Sequence, residues 1–273
     1  IIGINGPDSL DNGFGAHEFG HSFGNYHAAD LECGSSSIGT SCTILPQSDQ
    51  FDIMGIAGRR GHFNAYRKES MGWFNTENML TTNQWGTYLI TPIEMASSDI
   101  KSLKIPIQND LNYYIEYRRG IGYDLDNLEF GPTIYDGAMI HIDKFTSTSG
   151  YQDDTQLIDL TPGSNANQLF DSWDVVLRPG QTFQDPINNI SITTISINNT
   201  HLKIQIGRCD LPPLDWGQPD CNNNNKADSC DIDTNPLLDR DNNGIIDSCE
   251  ITILPPITPP YPHNVSKNRY ISF

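Results

Sequence analysis

Between residues 87 and 206 the chain is written in short β-branched and aromatic runs separated by turn residues. Residues 87–91, 103–107, 113–117, 138–142, 190–197 and 202–206 read as strands, because apolar and polar positions alternate with the period of two that a pleated backbone imposes. In the last run Leu202, Ile204 and Ile206 fall on one side and Lys203 and Gln205 on the other, so one face packs and the other meets water. Many short strands without intervening helices predict an antiparallel β-sandwich for residues 74–208. Residues 1–73 differ in pattern. They are Gly-rich and carry two helical stretches, one around His17 and one over residues 64–71, where Gly72 stands as the glycine that ends a helix. Residues 209–250 are polar and acidic. Residues 251–263 hold five prolines in thirteen positions, which favours an extended linker, and residues up to 273 begin a further segment. The expected fold class is therefore an α+β unit followed by an antiparallel β-sandwich and a small loop module.

Composition narrows the partners. A net charge of −18 repels a polyanion, so nucleic acid is not an expected partner. No apolar run is long enough to predict a membrane span. The six cysteines form no CxxC pair, and their close spacing among Asn, Thr and Ser residues reads as a secreted, oxidised protein; a monomer is expected, with any signal peptide or pro-segment already gone. Cys33 and Cys42 flank a Gly/Ser-rich stretch and are expected to bond to each other; pairing among Cys209, Cys221, Cys230 and Cys249 stays open.

The chemistry concentrates in one segment, His17-Glu18-Phe19-Gly20-His21-Ser22-Phe23-Gly24-Asn25-Tyr26-His27. On a helix His17 and His21 lie one turn apart on one face and can reach one cation. Glu18 points about 100° away around the axis, beside the metal rather than on it. Gly24 permits a backbone turn closed to residues with a Cβ, which brings His27 round as a third ligand. Three neutral imidazoles and one open position describe a catalytic Zn2+ site, with Glu18 as the base that takes a proton from the attacking water.

This segment resembles the long zinc motif of the metzincin metalloendopeptidases, HExxHxxGxxH. The resemblance implies a methionine turn under the metal, and Met54 within Ser48-Asp49-Gln50-Phe51-Asp52-Ile53-Met54-Gly55 is its candidate. The helix Phe63-Asn64-Ala65-Tyr66-Arg67-Lys68-Glu69-Ser70-Met71-Gly72-Trp73 is similar to the one that closes gametolysin-like metzincins. Where some members have a tyrosine two residues beyond the methionine, this chain has Ile56. Family catalytic domains also place a sheet and a helix before the zinc helix, whereas sixteen residues precede His17 here. Residues 1–73 are thus expected to be the C-terminal part of a metzincin catalytic unit. Residues 74–208 resemble the β-sandwich that follows it in gametolysin-like and immune-inhibitor-like secreted proteases. Within that region His141 is expected to be a packed or half-exposed strand histidine rather than a ligand, and Glu116 and Arg118 a structural ion pair.

The acidic module contains a repeat. Asp239, Asp241, Asn243, Asp247 and Glu250 occupy positions 1, 3, 5, 9 and 12 of a calcium loop, with Gly244 at the turn. Nineteen residues earlier Asp220, Asn222, Asn224, Asp228 and Asp231 repeat the pattern, with Asn225 at the turn and Asp231 in place of glutamate. Asp231, Asp233 and Asn235 suggest an overlapping third loop. The segment is similar to thrombospondin type 3 repeats, in which Ca2+ and disulfides stand in for a core; two or more Ca2+ ions are expected, and a disordered acidic linker is the plain alternative. The chain reads as a secreted zinc endopeptidase acting on protein or peptide substrates, or as part of one. Its rival is a non-catalytic extracellular adhesion module that retains a zinc site.

Overall fold

The computed structural model describes residues 12–56, 61–84, 86–131, 133–143, 153–163, 174–208, 220–224, 228–241 and 245–250. Among the described residues three α-helices, α1 (Asn12–Ser22), α2 (Ala65–Ser70) and α3 (Asp228–Thr234), accompany two sheets. The four-stranded sheet is built from β4 (Gly86–Ile90), β9 (Thr182–Asp185), β10 (Ile190–Ile197) and β11 (Leu202–Arg208), in the order β4-β11-β10-β9, all antiparallel. The seven-stranded sheet takes β1 (His27–Glu32), β2 (Thr43–Leu45), β3 (Met79–Thr81), β5 (Ser102–Pro106), β6 (Asn112–Tyr117), β7 (Ala138–Asp143) and β8 (Asp153–Ile158). Its order is β2-β1-β8-β7-β6-β5-β3.

Alternation along the strands assigns the layers. On β6, Tyr113, Ile115 and Tyr117 join a core shared with Phe183, Ile192, Leu202, Ile204 and Ile206 of the four-stranded sheet. The Tyr113 and Phe183 rings meet edge to face at 5.5 Å. The two sheets therefore pack as a sandwich, and the outward Lys203 of β11 is exposed. The opposite face of β6 and β7 is equally dry: Tyr114 packs with Ala65 and Phe74, and Met139 packs with Phe51 and Leu157. A third layer, made of α2 and the loop through Phe51, covers that face. Such double coverage explains why all six residues of β7 are buried.

Two expectations need correction. The larger sheet is mixed, not antiparallel, because β1 pairs β8 and β3 pairs β5 in parallel. The boundary drawn between residues 73 and 74 also falls inside this sheet. Ala29 pairs with Gln156 and Leu31 with Ile158, so the two sides of the boundary share one hydrogen-bonded ladder. Period-two alternation shows which face a residue takes, and is silent about the direction and identity of the neighbouring strand. The predicted helix over 64–71 is α2, capped by the Asn64 side chain accepting from the Arg67 N–H at 3.1 Å and followed by Gly72 at φ +71°. No helix among the described residues is long and apolar enough to cross a membrane.

Candidate metal centre

Gly13, Gly15 and Gly20 make α1 a poor helix on propensity alone, so its packing holds it. Gly20 lies against the loop through Met54, where a Cβ would collide with the methionine thioether. The helix ends where Gly24 turns to φ +88°, with the Gly24 N–H bonded to His21 O at 3.0 Å and Asn25 N–H to Gly20 O at 3.1 Å. The reversed chain then enters β1 at His27. Tyr26 N–H donates to the Asp154 carboxylate at 2.6 Å, tying this corner to β8.

His17, His21 and His27 converge. Their ring centroids stand 4.9, 5.5 and 4.8 Å apart, and one nitrogen from each lies within 4.8 Å of the others. His17 Nδ1 lies 2.8 Å from Ile53 O, and His21 Nδ1 lies 2.8 Å from Asn25 O. A carbonyl only accepts, so each Nδ1 carries the proton and each Nε2 keeps its lone pair, the second contact that a metal-binding histidine needs. The Gln47 amide lies 2.9 Å from His27 Nδ1 and 3.3 Å from its Nε2, so no carbonyl fixes this ring's tautomer as it does for the other two. Burial pushes His17 below its ordinary value and lowers His27 to about 4, each reinforced by the neighbouring histidines. Both are therefore neutral at pH 7, the form that ligates. The donor set suits zinc: three imidazoles on two elements, two of them already oriented.

Glu18 is half-buried, and its charge acts on both His17 and His27. Met54 is fully buried with Ala28 and Ile53, and its carbonyl accepts from Ala28 N–H at 2.9 Å. The loop carrying it is held by carboxylates. Asp52 accepts from Met54 N–H at 2.7 Å and Asn64 N–H at 2.8 Å, and lies 3.2 Å from Arg67 Nε. Asp49 accepts from Phe51 N–H at 2.8 Å and meets His141 Nε2 at 3.0 Å, wholly buried. Arg118 joins Glu116 at 2.6 Å and donates to Phe51 O, while Glu116 accepts from Ala65 N–H at 2.6 Å. His141 and the Glu116–Arg118 pair are thus structural, as expected, but they brace the loop beneath the histidines rather than a surface. Asp49, Asp52 and Arg67 were not singled out from the sequence; the Asx-turn pattern of Asp49-Gln50-Phe51-Asp52 is the local signal for the first two. Beside this loop a cavity of about 480 Å3 opens between α1 and α2, lined by residues that include Ala16, Ile53 and Lys68.

In the acidic module the two repeats adopt matching geometry. Cys221 N–H donates to Asp228 at 2.9 Å, and Arg240 N–H donates to Asp247 at 3.0 Å, the same positions of each loop. Asp228 opens α3 and Asp247 opens a short 3-10 turn. Asn222 and Asn224 amides both reach Asp231 at 2.7 Å, with Asn224 N–H on Asp220 at 3.0 Å. Asp239, Asp241 and Asp247 offer oxygens within 4.8 Å of one another, and Glu250, which closes the second loop, is exposed. Asn243 lies outside the described residues, as do Cys209 and the linker at 251–263. Asp231 and Asp233, where the overlapping third loop was expected to begin, are helical in α3. Disulfides join Cys33 to Cys42, as expected, and Cys221 to Cys249, which ties the first calcium-type loop to the second.

The chain matches no protein-family model, no curated protein and no solved structure with which it was compared.

Proposed function

We propose that this chain is a secreted zinc-dependent endopeptidase of metzincin type, with calcium loops following its β-sandwich. The observation that carries this reading is the convergence of His17, His21 and His27, two of them with Nδ1 already committed to backbone carbonyls. A zinc ion held by them would polarise a peptide carbonyl and acidify water. Glu18, beside the three rings and not needed as a ligand, takes the proton of the attacking water and returns it to the departing amine. Met54 fills the space behind α1 with an apolar, non-ligating side chain. The disulfides fit an oxidising compartment, and the paired loop geometry fits two hard cations. The test is Glu18→Ala in the longest natural form of the protein. Zinc content at one per chain with hydrolysis of unfolded casein reduced at least about a hundredfold is expected; lost zinc or retained turnover would sink the assignment.

A further inference from the structure

The β10–β11 hairpin reverses through Asn198-Asn199-Thr200-His201, and the Asn198 N–H closes it by donating to His201 O at 2.9 Å. Asn198, Asn199 and Thr200 are exposed. Toward the core, the Tyr117 hydroxyl holds the turn by donating to Asn198 O at 2.8 Å. Within the loop, Asn198 Oδ1 accepts from the Thr200 N–H at 2.9 Å, the His201 N–H at 2.8 Å and the Thr200 hydroxyl at 2.9 Å. An Asx turn of this kind engages only the side-chain oxygen. The Asn198 Nδ2 donates to nothing among the described residues, whereas Asn64, Asn112 and Asn127 each donate Nδ2 to another side chain. The fold thus uses one end of the Asn198 amide and leaves the other in water.

Asn198-Asn199-Thr200 is also an Asn-x-Ser/Thr triplet without proline, the acceptor pattern for N-linked sugar on surface loops of secreted proteins. Two other triplets occur, Asn189-Ile190-Ser191 and Asn264-Val265-Ser266. Ser191 is buried, and the last triplet lies outside the described residues. Of the two described, the one at Asn198 exposes both its amide and its hydroxyl residue.

We propose that Asn198 carries an N-linked glycan. The donor is an oligosaccharide joined through a diphosphate to a membrane lipid, presented by a transferase of the secretory route. Asn198 Nδ2 bonds to the anomeric carbon, and the bond from that carbon to the diphosphate oxygen breaks. The lipid diphosphate leaves with the electron pair, and a base of the transferase takes one Nδ2 proton. Oδ1 is untouched, so the three bonds of the turn survive and the sugar stands in water. Only the encounter with such a transferase rests on the secreted reading; the exposed nitrogen does not.

The experiment takes the full chain from its native source, collected separately from medium and cells. Denatured peptides are mapped by mass spectrometry with and without peptide-N-glycosidase in heavy-oxygen water. The peptide holding Asn198 should carry a sugar mass that the enzyme removes, leaving an aspartate labelled with heavy oxygen. The modification should be lost in Asn198→Gln and Thr200→Ala and kept in Thr200→Ser. Because both fractions are mapped after denaturation, a variant that folds poorly still reports. An unmodified Asn198, or a sugar that persists in Thr200→Ala, overturns the inference. Protein found in the medium with Asn198 bare would do so while leaving the secreted reading intact. Protein confined to the cells with Asn198 glycosylated would sink secretion and leave this inference standing.

Discussion

Single residues decide this site by what their second atoms touch. The three histidines are legible in the sequence because two share one helix face and the third follows a glycine at a fixed offset. Their supports are not, since His17 is oriented by Ile53, thirty-six positions away, and no local pattern announces such a bond. The same holds for Asp49 and His141, ninety-two positions apart and both wholly buried. Burial alone would push His141 down, but the Asp49 carboxylate outweighs it and leaves His141 above its ordinary 6.5. Asp49, penalised by burial and rescued by His141 and the Phe51 N–H, lies below its ordinary 3.8. The signs follow by linkage. His141 contributes stability that is complete below pH 6.5 and fades as pH rises through its raised value. Asp49 contributes stability that is complete above pH 3.8 and fades as pH falls through its lowered value. The pair therefore stabilises most between those limits. His17, His27 and His62 are lowered and act with the opposite sign, so the informative quantity is the difference between wild type and His141→Gln in urea midpoint. That difference should be largest near pH 5–6 and shrink toward pH 8; a difference constant across this range would show that the pair is not charged.

At the scale of elements, the strands read from alternation reappear within a residue or two as β4, β5, β6, β7, β10 and β11, while β1, β2, β3, β8 and β9 escaped. Each of those five is short or polar: β8 reads Asp-Asp-Thr-Gln-Leu-Ile and β1 His-Ala-Ala-Asp-Leu-Glu, sequences whose strand character comes from their neighbours, not their own pattern. The calcium-type loops are the reverse case, where spacing alone announces the geometry. Their position-9 aspartates bond the position-2 backbone in both repeats, and a disulfide ties one loop to the other. What such a module lacks is apolar mass; Ile246 and Cys230 are its buried hydrophobics among the described residues. Asp228, Asp231 and Asp239 are buried as well, and carboxylates crowded this way repel unless cations join them. Calcium bound to the folded form alone stabilises it by mass action. Limited digestion by an unrelated protease should therefore cut residues 220–250 faster in EGTA than in millimolar calcium, while the β-sandwich is unaffected. Equal cutting in both conditions would leave the acidic-linker reading in place.

The whole molecule differs most from a reading made zone by zone. Composition shifts sharply near residue 73, and a change of pattern from helices and glycines to short strands looks like a domain boundary. The chain instead closes a loop of more than a hundred residues to lay β8 beside β1. Composition cannot report this, because a parallel neighbour so distant leaves no trace in local periodicity. The consequence is mechanical. Asp154, at the second position of β8, accepts from Tyr26 N–H at 2.6 Å just before His27 and meets Arg67 Nη1 of α2 at 3.1 Å, while Thr155 accepts from the Asn64 side chain at 3.0 Å. The strand that positions the third histidine and the helix that closes the site are thus both anchored on a strand from the far side of the supposed boundary. Buried ladders of this kind open together, since breaking the β1–β8 pairing exposes both the sandwich core around Leu31 and Ile158 and the layer beneath the histidines. Native-state hydrogen exchange should therefore give the Ala29 and Leu31 amides of β1 and the Ile140 and Ile142 amides of β7 the same opening free energy, equal to the global value from urea unfolding. Two independent domains predict something else: β1 would open with the smaller unit, at a distinctly lower free energy than β7. A gap of more than about 1.4 kcal/mol, a factor of ten in the opening constant, would restore the boundary at residue 73 and remove the mechanical coupling argued from Asp154.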